Sequence, residues 1–125
     1  MSVSYSIHGT LLRLELVGTY EPDDVIKTFE SALNDPKCPN PASLLVDVRR
    51  SETLATAEIS DIRRVAEYVG PFARRVGGRV AVVASSDVHF GLSRLGSVYT
   101  ETVGVEAQVF RDVESAVSWL SIPPG

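Results

Sequence analysis

One cysteine, Cys38, stands in a chain of 125 residues, so no disulfide forms within it. It lies in Pro36-Lys37-Cys38-Pro39, loop-like sequence, and a lone thiol fits a reducing compartment. Long apolar runs are also missing. Nowhere do about 18 apolar residues follow one another, the length a membrane-crossing helix needs. The opening Met1-Ser2-Val3-Ser4-Tyr5-Ser6 has no basic stretch leading into an apolar one, so no secretory leader is expected and the expected location is cytoplasmic. Positive charge is scarce. Twelve Lys and Arg face sixteen Asp and Glu, a net charge of −4, and the sequence pI is about 5.1. Nucleic-acid binders carry a basic footprint, so that class is excluded as an expectation. Histidine is down to His8 and His89, with no His-x-x-x-His and no cysteine pair, so no metal site is predicted. Neither a Gly-x-x-x-x-Gly-Lys loop nor a Gly-x-Gly-x-x-Gly turn occurs, so no nucleotide cofactor has support.

What is present suffices for a core. Hydrophobic residues make up 44% and charged residues 22%, ordinary values for a single globular domain of this length. The domain is expected over residues 1–121, with 122–125 a frayed tail. Val3, Tyr5 and Ile7 alternate with Ser4, Ser6 and His8. Leu12, Leu14 and Leu16 alternate with Arg13 and Glu15. Period two with one polar face predicts half-buried strands, and His8-Gly9-Thr10 between them predicts an antiparallel hairpin. Pro22 fits a first helical position with Asp23 and Asp24 in the first turn. Val25, Ile26, Phe29, Ala32 and Leu33 then repeat at helical spacing until Asn34-Asp35-Pro36 ends the helix.

Leu44-Leu45-Val46-Asp47-Val48 and Val80-Ala81-Val82-Val83-Ala84 are short apolar runs without alternation, the mark of parallel strands covered on both faces. Between them Ile59, Ile62, Val65, Ala66, Val69, Phe72 and Val76 keep helical spacing, divided at Gly70-Pro71. Ser86 fits an N-cap for a helix carrying Val88, Leu92, Leu95 and Tyr99, closed by Gly104. Val105, Ala107 and Val109 form a last strand, and Asp112 caps a last helix. The predicted order is β-β-α-β-α-β-α-β-α, an α/β fold with an N-terminal antiparallel hairpin joined to a mostly parallel sheet.

The segment Arg79 to Arg94, the run Val105-Glu106-Ala107-Gln108-Val109-Phe110-Arg111-Asp112 and the helix ending at Trp119-Leu120 resemble the bacterial SpoIIAA-like proteins, also called STAS/SEC14-like. The opening hairpin and Leu44 to Arg49 fit as well, so nearly the whole chain is covered. The resemblance implies a regulatory or protein-binding module with a functional surface at the start of the helix after the third strand. In anti-sigma-factor antagonists an Asp-Ser-Ser/Thr-Gly motif there carries a phosphorylated serine. This chain reads Arg49-Arg50-Ser51-Glu52-Thr53-Leu54-Ala55-Thr56 instead, so the motif is absent; Ser51, Thr53 and Thr56 occupy the corresponding region.

Ligands of open parallel sheets sit beyond the carboxyl ends of the strands. That edge gathers Asp47, Arg49, Arg50 and Ser51, then Ser85, Ser86, Asp87 and His89, then Arg111 and Asp112. Arginines beside helix N-termini suit a small anion. The same residues also read as ordinary capped turns with solvated arginines. Ser86, His89 and Asp112 include the residue types of a hydrolase triad, yet no Gly-x-Ser-x-Gly elbow is present. Asp47, alone among apolar neighbours, calls for a partner such as Arg49 or Arg79. Arg63, Arg64, Arg74 and Arg75 form a basic helix side, interspersed with acids as on a solvated face. Trp119 fits either an interface or the chain's own sheet. The leading expectation is a non-catalytic regulatory module with a protein partner, a small anion or a second copy of itself on this edge. The alternative is a small-ligand carrier, for an anion or a lipid, or a small enzyme. The alternative requires a pocket of about 300 Å³ or more with convergent polar groups.

Overall fold

The computed structural model describes residues 2–122. Met1 and most of the expected tail, residues 123–125, lie outside the described residues. Strands β1 (Val3–His8) and β2 (Leu11–Gly18) pair antiparallel, with Val3 opposite Leu16 and His8 opposite Leu11. The two-residue link needs a left-handed turn, which Gly9 supplies at φ +62°. Helix α1 (Pro22–Leu33) begins at the expected proline, and Glu21 and Asp24 close a capping box around its first turn.

Strand β3 (Ser43–Ser51) runs further than its apolar core of five residues. A short 3-10 turn (Thr53–Thr56) and helix α2 (Ile59–Tyr68) follow, and a 3-10 segment (Gly70–Val76) continues past the predicted break at Gly70-Pro71. Strand β4 (Arg79–Val83), helix α3 (Asp87–Thr102), strand β5 (Glu106–Phe110) and helix α4 (Val113–Ser121) complete the order. Ser86 and Asp112 cap α3 and α4 as predicted, each accepting an amide three residues on. Gly104, at φ +86°, releases the chain after α3.

The sheet has the order β1-β2-β3-β4-β5, antiparallel at its first pair and parallel thereafter. Three successive crossovers stepping the same way, each right-handed, place their helices on one face. There Leu14, Leu16, Leu44, Val48, Val80 and Ala107 meet Val25, Phe29 and Val69. Only α4 lies on the opposite face, where Leu45, Ala81, Val83 and Ala116 form a smaller core with Trp119 packed against it. Trp119 belongs to the chain's own packing: its ring lies 5.7 Å from that of Phe110, with the Arg79 guanidinium 5.0 Å above it.

Candidate functional site

The carboxyl edge of the sheet is neutralised from within. Asp47 lies on the α4 face, only 6% exposed. Its carboxylate accepts from Arg49 Nε at 3.0 Å, Arg49 Nη2 at 2.8 Å, the Arg49 amide at 3.1 Å and Arg13 Nη2 at 2.8 Å. Burial alone would push this carboxyl up. The hydrogen bonds from Arg49 and Arg13 outweigh it and hold Asp47 below the usual carboxylate range. Arg49 was an expected partner. Arg13 comes from β2, where α4 leaves the sheet uncovered. Arg79, the other expected partner, instead donates to the Trp119 and Ile122 carbonyls.

The rest of the edge is similarly engaged. Arg111 donates to the Ser85 carbonyl, pairs with Asp87 at 3.0 Å and stacks 4.2 Å from the Phe90 ring centre. The Ser86 hydroxyl accepts the His89 amide at 3.1 Å, and the imidazole Nδ1 of His89 is buried without a hydrogen-bond partner. Asp112 accepts the Ser115 amide, which lowers its pKa. Ser86, His89 and Asp112 therefore assemble no proton relay, since each oxygen serves a helix cap rather than the ring. Arg50 is exposed and makes no ion pair among the described residues.

The region aligned with a phospho-switch turns inward. Between Glu15 and Val17 the β2–β3 register shifts, so that Arg50 faces Val17 and Ser51 faces Gly18. This extra residue in β3 rotates Ser51 toward the three-helix face. Ser51 is 4% exposed. Its hydroxyl shares a 2.6 Å hydrogen bond with the Tyr20 hydroxyl and accepts the Leu54 amide at 3.1 Å. Burial raises the Tyr20 pKa. Thr53 Oγ1 accepts the Tyr20 amide at 2.9 Å, and Thr56 is exposed. Ser51 and Thr53 are thus pins that hold the chain's path into α2, and Thr56 alone of the three presents itself to solvent.

An apolar concavity lies elsewhere, under α2. This helix packs on α1 and α3 rather than on the sheet. Ile62 rests on Gly96 of α3, where an added Cβ would stand 3.5 Å from the Ile62 methyl. Gly70 abuts Val103 so closely that a Cβ there would come within 2.8 Å. On the α1 side Phe29, Tyr68 and Phe72 form a strut, with ring centres 5.6 to 6.4 Å apart. Arg64 pairs with Asp23 of α1, and Arg63 lies over the Tyr99 ring of α3. Carried on these supports, α2 buries none of its own residues fully. Beneath it remains a chamber of about 200 Å³ floored by Leu14, Leu44, Val46, Val80 and Val82. Tyr20 and Thr53 stand at its β3 end, and Asp61, Ser93, Ser97 and Thr100 line its helix side. The chamber is smaller and more apolar than the polar pocket the alternative expectation required, and it lies under a helix instead of on the strand edge. Sequence reasoning missed it. The only signal was the division at Gly70-Pro71 and the small residues of α3, neither of which specifies a gap.

Among the described residues no group of three or more His, Cys, Asp or Glu side chains is arranged to hold a metal, and no helix is long and apolar enough to cross a membrane. No family model matches the chain, and no curated protein matches it. Among solved structures it is similar to an uncharacterized protein of the DUF3478 family from Shewanella loihica PV-4, described as having a SpoIIAA-like fold. The TM-score is 0.60 at 21% identity, over 94% of this chain and 91% of that one. The two share a fold, and the resemblance legible in the sequence holds at that level: this chain has a SpoIIAA-like α/β fold.

Proposed function

We propose that this domain is a non-catalytic regulatory or carrier module of the STAS type, and that it works by holding a small apolar molecule in the chamber under α2. The observation that carries this reading is the chamber itself. A half-open gap of about 200 Å³ walled by Leu, Val and Ile leaves apolar side chains without the contacts that collapse would bring, which close-packed proteins seldom forgo. The polar strand edge supports no rival site of comparable quality. Its acids and most of its arginines already satisfy one another, which leaves little to recognise an anion. Because α2 rests on α1 and α3, filling the chamber biases where α2 sits, and its outer face with Ile59 and Arg63 is the surface a partner protein would read.

The test is solvent extraction of protein purified gently from its own source, followed by mass spectrometry. An apolar compound should accompany the wild type in near-stoichiometric amount. It should be lost from a Val46→Phe/Val82→Phe variant that remains folded by circular dichroism. Indistinguishable extracts from the two proteins would contradict the proposal.

A further inference from the structure

The chamber's lining also restricts what it can hold. Its only charged member is a carboxylate, Asp61, in the first turn of α2. The nearest basic groups of α2 are already engaged, Arg64 with Asp23 and Arg63 with Glu67. An anionic head group entering here would meet a like charge and no partner. Size restricts further. About 200 Å³ is only somewhat more than the roughly 150 Å³ apolar cavity known to accept a benzene ring, and below the drug-sized range. A two-chain lipid does not fit.

One polar contact is on offer. Thr100 and Ser97 turn their hydroxyls to carbonyls of their own helix. Tyr20 and Ser51 bond each other. Ser93 differs: it is only 8% exposed, lines the chamber, and its hydroxyl has no hydrogen-bond partner among the described residues. That hydroxyl is not sealed off among the buried unpartnered atoms but stays reachable from the chamber, where a ligand's polar group can meet it. Resting on the chamber reading above, we infer that the ligand is a small uncharged molecule. It has one ring or a short chain, carries a single hydrogen-bonding group met by Ser93, and Asp61 excludes its anionic counterparts.

Thermal-shift titrations with toluene, heptan-1-ol and heptanoate at pH 7 test this. Toluene and heptan-1-ol should both raise the melting temperature saturably, and heptanoate should bind at least about 100-fold more weakly than the alcohol. Ser93→Ala should weaken heptan-1-ol about three- to tenfold, the worth of one hydrogen bond, while leaving toluene unchanged. Asp61→Asn should improve heptanoate about tenfold, the scale of removing one nearby like charge at a partly exposed site. Heptanoate binding within about twofold of the alcohol, or a Ser93→Ala variant that weakens both neutral probes equally, would overturn the selectivity while leaving the chamber intact. If neither neutral probe binds, the chamber reading itself falls.

Discussion

Adding bulk to a closely packed core strains it, whereas adding bulk to a lined void fills it, and this sign separates the two situations. Val46 and Val82 are partly accessible through the chamber they floor, although they belong to the interior strands β3 and β4. Val83, on the opposite face of β4, is fully buried against Leu45 and Ala116. Val→Ile adds one methylene, worth about 0.8 kcal/mol when buried without strain. Val46→Ile and Val82→Ile should therefore each stabilise by roughly 0.5–0.8 kcal/mol. Together they should approach about 1.5 kcal/mol if they do not crowd one another. Both residues are β-branched, so strand propensity is unchanged. Val83→Ile has no gap to enter and should cost about 1 kcal/mol or more through overpacking. Urea unfolding at pH 7 reads these values directly from the midpoint at constant m. In thermal melts each chamber substitution should raise Tm by about 2–4 °C. If Val46→Ile and Val82→Ile destabilise as Val83→Ile does, α2 is seated on the sheet and the reasoning from the chamber fails.

Further predictions concern the groups around it. Asp47→Asn should destabilise by about 1–2 kcal/mol at pH 7, less than for a fully buried pair, because Arg13 and Arg49 retain contact with water. The folded pKa of Asp47 is depressed, so its contribution is complete above the unfolded carboxyl pKa of about 4 and is lost as pH falls through the lower folded value. The gap between wild type and Asp47→Asn in urea melts should therefore hold from pH 7 to about 4 and shrink as pH falls further; a gap that stays unchanged across the acid range would refute the ion-pair account. Ser51→Asp should cost about 3 kcal/mol or more by forcing a charge into a closed site, whereas Thr56→Asp should stay within about 0.5 kcal/mol. Equal melting temperatures for the two would refute the inward placement of Ser51. Gly70→Ala should lower Tm by several degrees because its methyl meets Val103, and an unchanged Tm would show that α2 is not braced there.

The parts of this fold legible in the sequence are those fixed by local chemistry. Pro22, Ser86 and Asp112 mark helix starts because each answers the free amides of a first turn. The Leu12-Leu14-Leu16 alternation marks a strand because period two is a property of the backbone. Asp47 announced an arginine partner because an unpaired carboxylate in an apolar strand is costly. Choosing Arg13 over Arg79 required knowing that α4 sits chiefly over β3 to β5 and leaves most of β2 uncovered. The inward turn of Ser51 was hidden because the register shift arises between strands, not within one. The chamber was hidden for a related reason. Ile59, Ile62, Val65, Ala66 and Val69 have the same spacing whether a helix sinks onto a sheet or is carried on its neighbours. Ile59 keeps that spacing and is nonetheless 58% exposed. What decides the height of α2 is the strut of Phe29, Tyr68 and Phe72, and the contacts at Gly70 and Gly96. These are tertiary facts that no local pattern encodes.

The central claim is that the space under α2 is a binding site, and methyl-resolved NMR during a toluene titration addresses it most directly. The account predicts saturable shifts at the methyls of Leu14, Val46, Val82 and Leu92, which line the chamber, with Leu45 and Val83 on the α4 face unmoved. Shifts that never saturate, or that reach Leu45 and Val83 equally, would contradict it.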